Sequence, residues 1–171
     1  MCLVDSYHDI ILDPVLRRVL EIEKTIIHKD YCLDYVHDIA LLKLKEKVDL
    51  STYTPACLAP KDANYTGKTA SVYGWGQEKF APKCVPKPPF SPVLKETTQT
   101  ILSNEDCEQR SGSFPCCKEG TEDMCEVSMK GKIKDDMLCG YTSGTVGCQG
   151  DSGGPFTVGE DGKHTLVGVV S

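Results

Sequence analysis

The segment Gly147-Cys148-Gln149-Gly150-Asp151-Ser152-Gly153-Gly154-Pro155 decides how the rest of the chain is read. A serine that attacks a carbonyl needs a tight backbone. Its oxygen and nearby amide hydrogens must converge on one group. Glycines at 150, 153 and 154 permit that approach because they carry no side chain. The amides of Gly150 and Ser152 then suit an oxyanion hole, which contributes several kcal/mol of transition-state stabilisation. By its chemistry alone the segment is also open to a plainer reading, a glycine-rich surface turn.

Working outward, residues 153–158 and 165–170 read as two strands around the turn Gly159-Glu160-Asp161-Gly162. Residues 69–73 predict a strand entering Gly74-Trp75-Gly76, and residues 93–102 predict another. Residues 19–27 mix alternation with a β-branched end, and residues 38–44 are a short apolar run; both predict strands. Residues 54–60 are extended because two prolines bracket them. Residues 60–67 are polar and turn-rich, which suits a boundary between subdomains. The proline-rich stretch 80–92 is a loop. Residues 103–139 are polar, cysteine-rich and expected to be irregular. Many short strands with glycine and proline turns indicate an all-β barrel or sandwich.

Composition narrows the function. Among 171 residues, 25 acidic and 19 basic side chains give a net charge of −6. A nucleic-acid binder would normally show a basic face, so nucleic acid is not an expected partner. No apolar run approaches the roughly 20 residues of a membrane helix, so no membrane partner is expected. Ten cysteines suggest disulfides and an oxidising compartment. A zinc protein would show paired, short-spaced cysteines. Here the closest pair, Cys116-Cys117, is adjacent and has no matching partner, so no metal and no cofactor is expected. Asn64-Tyr65-Thr66 fits a glycosylation sequon, in keeping with secretion. The first residues lack the basic and apolar regions of a signal peptide.

With these features in view, the sequence resembles the chymotrypsin-like serine endopeptidases. Gly150-Asp151-Ser152-Gly153-Gly154-Pro155 is similar to the family's nucleophile motif, and Asp38-Ile39-Ala40-Leu41-Leu42 to its segment around the catalytic aspartate. Pro55-Ala56-Cys57-Leu58, Gly74-Trp75-Gly76 and Leu166-Val167-Gly168-Val169-Val170-Ser171 fall in the family's order. The resemblance covers nearly the whole chain. It implies two six-stranded antiparallel Greek-key barrels, both incomplete. Residues 1–62 would be a remnant of the first, and residues 63–171 the second without its last strands and helix. It also implies that Ser152 is the nucleophile and that Asp38 orients the catalytic histidine. Asp151 would pair with the amine freed by zymogen cleavage, and Ser171 would lie near Asp38. Cys107 and Cys139 match a family disulfide. Cys148 matches a cysteine whose partner lies downstream of Ser171. Cys57 resembles the one that tethers a propeptide or light chain. Ala70 and Val158 occupy the two positions of another family bridge, with both cysteines replaced.

The chain also departs from the family. The histidine expected before Asp38, in an Ala-Ala-His-Cys context, is missing. Of four histidines, His37 adjoins Asp38, His28 matches a non-catalytic family position, and His8 and His164 lie outside any triad motif. Two registers fit the beginning. One sets Met1-Cys2 in place of His-Cys. The other, preferred because it needs no deletion, aligns residues 3–10 with a later family strand. Neither supplies a base. The Trp-Gly, pocket wall and helix that the family places after Ser171 are expected to be absent too. Cys125 is expected to close a hairpin with Cys116 or Cys117, and Cys32 to reach the remaining one; Cys2 and Cys84 are unassigned. The specificity pocket would use Val146, Gly147, Gln149 and Ser171. Val146 stands where trypsin-like members carry an aspartate, so a buried cationic substrate side chain would lack a counter-charge. An apolar side chain is the expected fit.

The resulting expectation is a secreted serine endopeptidase acting on protein or peptide substrates through an acyl-enzyme, with this chain inactive alone. The alternative is a non-catalytic pseudoprotease acting as a binding module.

Overall fold

Alternation along residues 69–74 turns Ala70 and Val72 to one face, and along residues 94–102 it turns Thr97, Gln99 and Ile101 inward. These two strands form the middle of the fold. The computed structural model describes residues 8–10, 19–31, 36–77, 89–110, 113–117, 124–128, 131–143 and 149–171. In chain order the elements are β1 (His8–Ile10), β2 (Ile22–Ile27), β3 (Ala40–Leu44), β4 (Cys57–Leu58), β5 (Thr69–Gly74), β6 (Leu94–Leu102) and α1 (Asn104–Arg110). They continue with β7 (Ser113–Cys117), β8 (Met124–Ser128), β9 (Cys139–Tyr141), β10 (Pro155–Glu160) and β11 (Lys163–Val169). The described structure is mostly strand with one short helix, the all-β class expected.

A seven-stranded sheet runs β1-β6-β5-β10-β11-β4, and β9 also pairs with β6. β1 joins the first half of β6, with His8 opposite Glu96, and β9 joins its end, with Leu102 opposite Cys139. At the far edge β4 runs parallel to β11, with Cys57 opposite Thr165. The sheet therefore draws strands from both sides of residue 62. β2 and β3 form a separate antiparallel ribbon, and β7 and β8 another. The expected strand at 19–27 starts only at Ile22, and Asp38 stays outside β3. β10 and β11 close on Asp161 and Gly162, whose φ angles of 51° and 72° match the twist of a tight hairpin.

The core gathers Ala70, Val72, Ile101, Phe156 and Val158, with Tyr65, Val167 and Val170 packed against it. Ala70 and Val158 thus share one apolar cluster. Burial of such side chains stabilises by about 1.5–3 kcal/mol for each large one. The β2–β3 ribbon differs: Ile26, Ile27, Leu41 and Leu42 are all exposed.

Residues 103–139 are more regular than their composition suggests. Ser103 and Asp106 cap α1 reciprocally. The Ser103 hydroxyl donates to Asp106 Oδ2 at 2.6 Å, and the Asp106 N–H donates to Ser103 Oγ at 3.0 Å. This box satisfies a helix-end N–H that would otherwise lack a partner. The helix buries Cys107, which is bonded to Cys139 at the start of β9. Glu108 accepts the Gly131 and Ile133 N–H groups at 2.9 and 3.1 Å, tying the approach to β9 onto the helix. The β7–β8 register sets Cys116 opposite Cys125 and Cys117 opposite Met124. Cys2, Cys32, Cys84 and Cys148 lie outside the described residues.

Candidate active site

The turn before β10 carries the serine segment. Gly150 has φ 99° and Gly153 φ 83°, a region that L side chains rarely adopt. Between them Asp151 is buried and Ser152 exposed. The Asp151 carboxylate is enclosed by the loop after β5: the Gly76 N–H donates to Asp151 Oδ1 at 2.8 Å. A Cβ added at Gly76 would stand 2.5 Å from that carboxylate, so only glycine allows the approach. The Gln77 N–H donates to the Gln149 carbonyl at 2.9 Å, pinning the same two loops together one step further out.

The end of β11 holds the other side of the turn. The Gly153 N–H donates to the Val170 carbonyl at 2.7 Å, and the Val170 N–H to the Gly154 carbonyl at 2.9 Å. The next residue, Ser171, donates its hydroxyl to Asp38 Oδ2 at 2.8 Å. Two successive residues therefore link the serine turn to the aspartate that precedes β3. The sequence resemblance had set Ser171 near Asp38, and the two are in direct contact.

Asp38 is exposed, and the Ile39 N–H donates to the His37 carbonyl at 2.8 Å, making a three-residue turn centred on Asp38. His37 is not part of a strand. Its φ is 54°, its ring stacks on His28, and its Nδ1 lies 2.8 Å from Asp136 Oδ2. No local pattern signals this pairing, because Asp136 is remote along the chain.

Among the remaining candidates, Gly150 and Gln149 lie in the serine turn and are exposed. Val146 and Gly147 lie outside the described residues. Asn64 sits in an exposed turn, where its Oδ1 accepts the Thr66 N–H at 2.9 Å. Cys57 is exposed with a free thiol. No helix among the described residues is long and apolar enough to cross a membrane.

With this geometry in hand, the comparisons are specific. A family model described as Trypsin matches residues 8–171. The chain belongs to the chymotrypsin-like serine protease family. It is 32% identical over 155 residues to serine proteinase stubble of Drosophila melanogaster, covering 88% of this chain and 17% of that protein. It is 32% identical over 158 residues to a venom protease of Bombus pensylvanicus, covering 88% of this chain and 55% of that protein. It is 34% identical over 160 residues to venom serine protease Bi-VSP of Bombus ignitus, covering 89% of this chain and 39% of that protein. The chain thus spans between 17% and 55% of the length of these relatives.

Proposed function

We propose that the chain carries the nucleophile half of a secreted serine endopeptidase. Ser152 Oγ bonds to the carbonyl carbon of a protein or peptide substrate. Its proton passes to a histidine base, which returns it to the departing amine as the C–N bond breaks; water then hydrolyses the acyl-serine ester. Asp38 orients that base and stabilises its cation, and the amides of Gly150 and Ser152 hold the oxyanion. Asp151 receives the amine freed by activation cleavage. The observation that carries this reading is the Ser171 bond to Asp38 beside the Val170 bonds to the serine turn.

Residues 1–62 and 63–171 are read as parts of two barrels. Val146, Gly147, Gln149 and Ser171 line a pocket for an apolar side chain. A glycan on Asn64 and a propeptide or light chain joined through Cys57 fit secretion; both residues are exposed. The histidine base is not among the residues of this sequence that match the family motif. Nucleophile, base and acid act as a unit, so the chain by itself is inactive. Labelling by a fluorophosphonate probe tests this, with Ser152→Ala as the blank. Weak or absent labelling of the 171-residue chain, and strong labelling of the longest natural product of the same gene, is the expected pair of results. Strong labelling of the short chain overturns the claim of inactivity. No labelling of the long form favours the binding-module alternative.

A further inference from the structure

The left-handed φ of His37 is a conformation that an imidazole residue tolerates but that needs support from its surroundings. Two contacts supply it. The His37 and His28 rings stack with centroids 4.7 Å apart and planes 22° from parallel. His37 Nδ1 meets Asp136 Oδ2 at 2.8 Å, with the side chains 36% and 39% exposed, so the pair is neither fully screened nor sealed from water. His28 follows β2 and in turn accepts the Asp30 N–H at Nδ1, 3.2 Å away, which fixes its ring. Asp136 belongs to the segment that leads into β9 of the large sheet. His37 thus bridges the ribbon and the large sheet from the position next to Asp38.

We propose that His37 is a positioning residue for Asp38: hydrogen-bonded to Asp136 and stacked on His28, it holds the turn that presents the Asp38 carboxylate to Ser171. Its functional weight rests on Asp38 being the triad acid; the clamp itself does not. An ionised carboxylate accepts a hydrogen bond more strongly than a neutral acceptor does, so Asp136 holds His37 more firmly than an amide in its place would. His28 and the Asp136 carboxylate face the ring. Along the chain Asp38 is engaged by Ser171, and Asp30 follows His28. Lys134 turns its Nζ to the Gly131 carbonyl at 3.2 Å.

Residue-resolved hydrogen exchange on the 171-residue chain reads the turn through the Ile39 amide, which donates to the His37 carbonyl. After correction for the intrinsic rate, Asp136→Ala is expected to lower Ile39 protection about threefold. The Ile101 amide, which donates to the Lys68 carbonyl at 2.9 Å in the core, should not follow it. Asp136→Asn keeps the shape and an acceptor without the charge; it should recover part of that protection. His37→Asn tolerates the left-handed backbone but loses the ring stacking and the ring contact with Asp136, so it should show a loss similar to that of Asp136→Ala. Ile39 protection unchanged by Asp136→Ala and by His37→Asn, an Ile39 amide unprotected in the parent chain, or parallel changes at Ile101 each overturn the proposal. Probe labelling of Ser152 is a separate measurement, so the clamp and the catalytic reading of Asp38 can fail independently.

Discussion

Ser171 donates its hydroxyl to Asp38 Oδ2 at 2.8 Å, joining the second residue after β11 to the second residue before β3. Its neighbour Val170 exchanges backbone bonds with Gly153 and Gly154. The serine turn and the aspartate turn are therefore held by one short piece of chain, and a disturbance in either is felt by the other. Both side chains of the Ser171–Asp38 bond are exposed, which limits how much it stabilises the fold.

Ser171→Ala is expected to lower stability by less than about 1 kcal/mol, the net worth of a typical solvent-accessible hydrogen bond. A double-mutant cycle with Asp38→Ala should return a coupling of about 0.5–1 kcal/mol by urea denaturation. Strictly additive effects would show that the bond is not formed in solution.

Gly76→Ala and Gly153→Ala separate two reasons for glycine. At Gly76 a methyl would meet the Asp151 carboxylate, and the expected loss is about 1–3 kcal/mol from overpacking. At Gly153 nothing stands within 4 Å, so the loss of about 1–2 kcal/mol comes from the left-handed backbone alone. Gly153→Asn should therefore recover part of the loss, whereas Gly76→Asn should not. Unfolding midpoints of the four variants decide the matter.

Replacing both Cys107 and Cys139 by serine removes a bridge with a sequence separation of 32 residues. Denaturant unfolding should show a loss of about 2–4 kcal/mol, chiefly because the unfolded chain gains freedom. Reducing agent should lower the stability of the parent chain by more than it lowers that of this variant.

Ser103→Ala should cost about 1 kcal/mol through loss of the cap on α1, and Ser103→Thr, which keeps the hydroxyl that donates to Asp106, should restore most of it. Thermal unfolding of the two variants against the parent checks the difference. Equal midpoints for alanine and threonine would argue that α1 is held by the Cys107 bridge alone.

Strands β5, β6, β10 and β11 were legible because alternation reports which face is buried, and Ala70, Val72 and Ile101 keep that alternation. The pairing of Cys107 with Cys139 and the nearness of Ser171 to Asp38 came through the family resemblance, not from spacing. Helix α1 was missed because its residues are polar; the Ser103–Asp106 cap was the available signal. Three features depend on partners far apart in sequence and so could not be read from local pattern. These are the enclosure of Asp151 by Gly76, the His37–Asp136 pair, and the recruitment of β1 and β4 to the large sheet.

The order of strands in that sheet sets a schedule for folding during synthesis. β5 pairs with β10, and β4 with β11, so strands made early wait for strands made much later. Before β10 is made, the β2–β3 ribbon, the β5–β6 pair and the β7–β8 ribbon can form from nearby segments. Until residues 155–169 leave the ribosome, β5 has one edge open and the core lacks Phe156 and Val158. Such non-local pairing folds slowly and leaves strand edges open to other chains meanwhile. A nascent chain stalled before β10 should therefore depend on chaperones, whereas the released chain closes that edge for itself.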